Sequence, residues 1–156
     1  MSSERSYPLR ALYALSRDYG HGPTLISKLS EEGAIPLQFL EQILLSLKGS
    51  GLVESKKGKG GGYSLARSPK EVTIGSVIRM VEGPLAPLPC ASDTAFRKCD
   101  ECEDVRTCGT RFVMRQVRDA TAQILDHLTL QQVCDHIQTS KVHLEGEQAE
   151  ELMYYI

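Results

Sequence analysis

Four of the five cysteines fall in one nineteen-residue stretch, Cys90-x8-Cys99-x2-Cys102-x5-Cys108, and the fifth, Cys134, lies far downstream. Four thiolates can close an iron–sulfur site without histidine or carboxylate. They can equally build a tetrahedral zinc site. Zinc sites usually show two short Cys-x2–4-Cys knuckles, and only Cys99–Cys102 has that spacing. Metal-free loop thiols form a third reading. The Cys99-x2-Cys102 pair also has thioredoxin-type spacing, but such a pair needs a lowered thiol pKa. Asp100, Glu101, Glu103 and Asp104 crowd Cys102 and disfavour a free thiolate, and Arg97, Lys98 and Arg106 offset them only in part. This argues against an oxidoreductase, and no enzyme activity is expected. Cys134 falls on an apolar helix face and reads as a packed thiol.

The compartment supports the metal readings. No apolar run approaches the roughly 18 residues of a membrane span. Glu4, Arg5 and Arg10 interrupt what would have to be the apolar core of a secretory signal. A soluble, cytoplasmic protein is expected, and clustered cysteines there are more often metal ligands or redox thiols than disulfides. With 156 residues, 41% hydrophobic and 24% charged, the chain fits one small domain plus a helical extension. The net charge of −2 divides unevenly. Residues 1–83 hold 11 Lys+Arg against 8 Asp+Glu, and residues 84–156 hold 7 against 12. A basic first half suits a nucleic-acid-binding head.

The elements that must carry these groups follow from apolar spacing. A helix from about Tyr7 to Tyr19 carries Leu12, Leu15 and Tyr19. Thr24 is the expected N-cap of a short second helix that ends at Gly33. Pro36 opens a third helix with Leu37, Leu40, Leu44 and Leu47 on one face. The short connection makes the second and third helices a candidate helix-turn-helix, although an ordinary helical hairpin has the same spacing. Strand candidates Leu52–Ser55 and Tyr63–Leu65 flank Lys56-Lys57-Gly58-Lys59-Gly60-Gly61-Gly62. That is a basic hairpin, not a phosphate loop, because no Gly-Lys-Ser/Thr follows and no helix comes next. Helix, helix and basic hairpin is the order of a winged helix whose tip touches the DNA backbone.

A helix is predicted over Thr73–Glu82, with Ile74, Val77, Ile78 and Val81 on one side. Gly83, Pro84, Pro87 and Pro89 then open the cysteine loop. From Cys108 a long helix carries Val113, Val117, Ala120, Ile124 and Leu128 along one stripe. Pairing with a second subunit would cover it. A last helix spans Leu130 to about Thr139, and the acidic tail from Glu145 is expected to be poorly ordered. The fold class is mainly α with a small β-hairpin wing, a winged helix-turn-helix plus a long dimerisation helix. The expected divisions are a DNA-binding domain at 1–83, a metal or cluster loop at 84–107, dimerisation helices at 108–140 and a tail at 141–156.

The run Ile35-Pro36-Leu37-Gln38-Phe39-Leu40-Glu41-Gln42-Ile43-Leu44, then Gly51-Leu52-Val53, then Gly60-Gly61-Gly62-Tyr63, resembles the Rrf2 family of bacterial winged-helix regulators. Its members include the iron–sulfur cluster assembly regulator and nitric-oxide-sensing repressors. The resemblance covers about residues 5–140 and implies a homodimer on an inverted-repeat operator in double-stranded DNA. It sets Gln38, Phe39, Glu41 and Gln42 toward the major groove and Lys57 in the basic wing, with Lys56, Lys59 and Tyr63 completing the wing's contact set. The chemistry agrees, since glutamine can pair with adenine and a carboxylate can accept from cytosine N4.

The resemblance also implies an iron–sulfur cluster, 2Fe-2S or 4Fe-4S, with zinc as the alternative. Cluster-binding relatives use three cysteines and a variable fourth ligand, either a histidine three residues after the last cysteine or a carboxylate from the partner's first helix. Here Cys90 and Cys108 match the first and last cysteines. Arg111 stands in the histidine position and cannot ligate. Ser6 and Tyr7 stand where the carboxylate would be, with Glu4 close by. The expected ligands are therefore Cys90, Cys99, Cys102 and Cys108. A metal-sensing regulator and a thiol redox protein with no DNA role are the two function classes left open.

Overall fold

Residues 6–154 are described by the computed structural model, with side chains to residue 145. Glu4 and Arg5 lie outside them. Helix α1 (Tyr7–Arg17) buries Ala11, Leu12, Ala14 and Leu15 and stops two residues short of the predicted Tyr19. Two glycines at positive φ, Gly20 and Gly22, carry the chain away. Helix α2 (Ile26–Gly33) does not begin with the predicted Thr24 cap: Leu25 is the capping residue, with no side-chain bond. Thr24 is used elsewhere. Its hydroxyl donates to the Asp18 carboxylate at 2.7 Å, and its backbone exchanges two 2.8 Å hydrogen bonds with Tyr63.

Ala34 ends α2 in the left-handed region at φ +48°, and Pro36 precedes α3 (Leu37–Gly49). Leu40, Leu44 and Leu47 are buried, but Leu37, predicted on the same face, is 46% exposed at the helix start. Strands β1 (Val53–Lys56) and β2 (Gly62–Leu65) pair antiparallel with Val53 opposite Leu65 and Lys56 opposite Gly62. The architecture is mainly helical with this one hairpin.

The hairpin glycines answer to close approach. A Cβ on Gly62 (φ +147°) would lie 2.3 Å from the Thr24 carbonyl oxygen, whereas one on Gly60 (φ +73°) would meet nothing within 4 Å. Gly60→Ala should therefore cost only backbone strain, about 1–2 kcal/mol. Gly62→Ala should add a clash of about 1–3 kcal/mol and detach β2 from Thr24. Urea unfolding of both variants checks this, and equal midpoints would show that the Thr24 contact relaxes freely.

Helix α4 (Ile74–Val81) is capped by Thr73, whose side chain accepts from the Ser76 N–H at 3.2 Å. A 3-10 turn, Pro89–Ala91, precedes α5 (Gly109–Leu125) and α6 (Leu130–Tyr154). The last helix runs well past the predicted Thr139. Gln148, Ala149, Glu150, Glu151 and Leu152 are good helix formers, so the tail expected to be poorly ordered continues α6. Two compact units result. One holds the chain through Glu71 and from Leu130 onward, with α6 against α1 and the Gln131 N–H donating to the Pro69 carbonyl at 3.1 Å. The other holds Val72–Thr129, so α4, predicted within the 1–83 head, sits with the cysteine segment and α5. Among the described residues, no helix is long and apolar enough to cross a membrane.

Candidate nucleic-acid interface and cysteine centre

The face of α3 opposite its buried leucines presents Gln38, Phe39, Glu41 and Gln42 to solvent. Phe39 is partly supported, with its ring centroid 6.0 Å from that of Tyr7 on α1. At the hairpin tip Lys56, Lys57 and Lys59 are exposed. Tyr63 is half-buried, held by its backbone exchange with Thr24. Sequence reasoning missed Lys48, whose ammonium donates to the Ser55 hydroxyl at 2.6 Å and ties the end of α3 to β1. Its place in the last turn of α3 was visible, but the strand partner was not.

The four loop cysteines line one open cavity of about 420 Å³, together with Leu88, Glu101, Glu103, Asp104, Thr107 and Thr110. They are not equivalent. Cys90 is 3% exposed on the 3-10 turn, Cys99 is exposed, and Cys102 and Cys108 are half-buried. Cys108 is the N-cap of α5, its Sγ accepting from the Arg111 N–H at 3.4 Å. The Cys99–Cys102 knuckle is a turn closed by the Cys102 N–H on the Cys99 carbonyl at 3.1 Å.

Burial pushes the Cys90 thiol pKa up, and Cys99 and Cys108 push it further. The Cys102 thiol is also raised, by burial first and then by Cys108, against which Lys98 is a partial offset. Asp104 is held low by Arg106, which pairs with it at 2.9 Å, so part of the acidic flank is already neutralised.

Two arginines on one face of α5, seven residues apart, hold the turn; Arg111 stood out in the sequence only as a residue unable to ligate, and Arg118 not at all. Arg111 Nε donates to the Cys90 carbonyl at 2.8 Å. Arg118, whose guanidinium is almost wholly buried, donates to the Ala91 carbonyl at 2.6 Å and pairs with Asp93 and Asp119. In this conformation no three His, Cys, Asp or Glu side chains among the described residues are arranged to hold a metal ion. The donor set nonetheless fits a thiophilic centre, with four sulfurs around one cavity. Cys90 and Cys108 are held by hydrogen bonds at the 3-10 turn and the start of α5, and Cys99 and Cys102 lie on the turn between them.

On α5 the predicted stripe faces solvent: Val113 is 50% exposed, Val117 45% and Ile124 67%, with Ala120 exposed and Leu128 half-buried beyond the helix end. Cys134 is on α6, its thiol donating to the Tyr13 carbonyl at 3.9 Å.

Across residues 1–136 the chain matches the Rrf2 family model, described as an iron-dependent transcriptional regulator. It is 38% identical over 135 residues to an Rrf2-like HTH-type transcriptional regulator of Rhodobacter capsulatus, covering 84% of this chain and 89% of the relative. It is 30% identical over 156 residues to the HTH-type transcriptional regulator CymR of Bacillus subtilis, covering 100% of this chain and 99% of CymR. Among solved structures, that of CymR (YrzC), the global cysteine regulator of B. subtilis, is similar with a TM-score of 0.70 at 29% identity, covering 87% of this chain and 96% of CymR. T. potens IscR is similar with a TM-score of 0.71 at 25% identity, covering 90% and 89%. The winged helix-turn-helix order predicted from the sequence is the fold of these neighbours.

Proposed function

The chain belongs to the Rrf2 family of transcription regulators, which bind DNA and are not enzymes, and from that membership we propose that it is a cytoplasmic homodimer whose operator affinity is set by an iron–sulfur cluster. The cluster would be held by Cys90, Cys99, Cys102 and Cys108. The observation that carries this reading is the gathering of all four loop thiols around one cavity at the start of α5. When bound, the cluster supplies a centre sensitive to iron, oxidants or nitric oxide. Every other part belongs to the chain. Cys90 and Cys108 form the side of the loop held by Arg111, and Cys99 and Cys102 supply the other two sulfurs from their turn. Arg106 neutralises Asp104 at the rim.

On DNA, α3 enters the major groove and the wing lysines meet phosphate. Gln38 and Gln42 read base edges, and Glu41 repels phosphate unless it finds a cytosine donor, so it filters sites instead of adding affinity. Two copies paired through α5 set the separation of their recognition helices, about 34–36 Å per turn of DNA for half-sites one turn apart. A loop that rearranges by a few ångströms between its loaded and empty forms is enough to disfavour simultaneous docking. Zinc is the second reading, since four sulfurs suit a tetrahedron, but the chain has one short knuckle where such sites usually have two.

The test is anaerobic purification with iron, sulfide and zinc analysis, followed by titration of one operator duplex with loaded, oxidised and metal-free protein at fixed salt. Iron with sulfide is expected, together with affinities that differ by roughly 5–150-fold, a coupling of about 1–3 kcal/mol. Stoichiometric zinc without iron or sulfide would sink the cluster reading, and equal affinities in all three states would leave a structural metal. In the same assay Lys57→Ala should weaken binding on all sequences and lower the salt slope by about one, whereas Gln42→Ala should relax sequence preference and keep the slope.

A further inference from the structure

We propose that Arg111 is the positioning residue of the cysteine centre, a clasp that fixes its two terminal cysteines relative to each other before any metal binds. Cys90 and Cys108 are eighteen residues apart, and the intervening loop contains no helix longer than the 3-10 turn. Bringing their sulfurs to one cavity means closing that loop, at an entropic cost that something in the fold must offset. Arg111 touches both ends. Its side-chain Nε donates to the Cys90 carbonyl at 2.8 Å, and its backbone N–H donates to the Cys108 sulfur at 3.4 Å. Its guanidinium carbon lies 5.8 Å from the centroid of the Phe96 ring, so the loop's own aromatic covers the clasp.

The clasp has a second consequence. Arginine stays protonated in any environment a protein offers, so Arg111 places a permanent positive charge within the backbone shell of a site built from thiolates. A histidine at this position could ligate a metal, whereas the Arg111 side chain serves only as a donor to the loop backbone. Arg118 does related work two turns further along α5, where its hydrogen-bond partners are the Ala91 carbonyl, Asp93 and Asp119 and include neither Cys90 nor Cys108. The role of the clasp in cluster retention rests on the cluster reading above, and its role in shaping the empty loop does not.

The experiment uses the full chain and has two arms. In the metal-free arm, iodoacetamide labelling is followed cysteine by cysteine by mass spectrometry, with Cys134 reporting the state of the rest of the fold. Arg111→Met keeps the aliphatic stem but removes the donor and the charge. It should speed labelling of Cys90 about tenfold and leave Cys134 at the wild-type rate, and Arg111→Lys should restore most of the protection. In the loaded arm, iron release to a chelator should be about 10–100-fold faster in Arg111→Met, the range usual for loss of an outer-shell partner. Unchanged Cys90 labelling in Arg111→Met overturns the clasp, as does a parallel rise at Cys134, which would mean general loosening. Wild-type protein without iron and sulfide overturns the cluster reading, and the labelling arm still decides the clasp.

Discussion

Alanine at Cys90 or at Cys108 is expected to yield colourless protein after anaerobic preparation, with iron and sulfide at background and operator affinity fixed at the metal-free value. Each removes one of four sulfurs, and Arg111, at the position three residues after Cys108, cannot take its place. The two positions differ in what else they do. Cys90 is buried, so its loss leaves a small void on the 3-10 turn. Cys108 also caps α5, and Cys108→Ala forfeits about 1 kcal/mol of helix capping. Cys108→Ser separates the two roles, since its hydroxyl can still cap but is a poor ligand for a thiophilic centre. It should lose the absorption and keep the Tm of the metal-free wild type. Cys134→Ala should change neither colour nor iron content, because that thiol lies on α6 against the Tyr13 carbonyl. If both Cys99 and Cys102 ligate, alanine at either bleaches the protein as fully as at Cys90. Retention of iron and sulfide in Cys90→Ala would falsify the four-thiolate site.

How much of this was legible in the residues depends on how local the determining physics is. The positions of α1, α3, α4 and the hairpin follow from apolar period and from glycine and proline, all short-range signals, and they appear within a few residues of where the spacing puts them. Thr24 misled because two uses compete for the same side chain: a cap would satisfy one α2 N–H, but the wing needs its backbone and Asp18 takes its hydroxyl. The length of α6 was misjudged because its acidic composition suggests solvation, although glutamate is also a good helix former. The cysteine density was plain. Which sulfurs are anchored was not, because Arg111 and Arg118 act through carbonyls twenty-one and twenty-seven residues away, and no local pattern encodes such a pairing.

Ile124→Glu is expected to convert the protein to monomer at micromolar concentration. Ile124 is more exposed, at 67%, than Val113 or Val117, and follows them and Ala120 at helical spacing on α5. An apolar row of this extent left in water is the mark of a surface meant to be covered. A two-fold interface presents the same residue twice, so one substitution removes two isoleucines from the contact and introduces two carboxylates. Burying an isoleucine is worth about 1.5–3 kcal/mol, and an unpaired carboxylate costs several kcal/mol more. Even a combined loss of about 6 kcal/mol weakens association by roughly four orders of magnitude, at 1.4 kcal/mol per tenfold. Sizing should therefore show the monomer with helical content intact. On DNA the variant should lose its preference for the full inverted repeat over a single half-site, since only a pair of recognition helices can read both. A variant that elutes as a dimer with unchanged stability would move the interface off α5, and Val142 and Leu144 on α6, both more than half exposed, are among the other large apolar side chains that could form one.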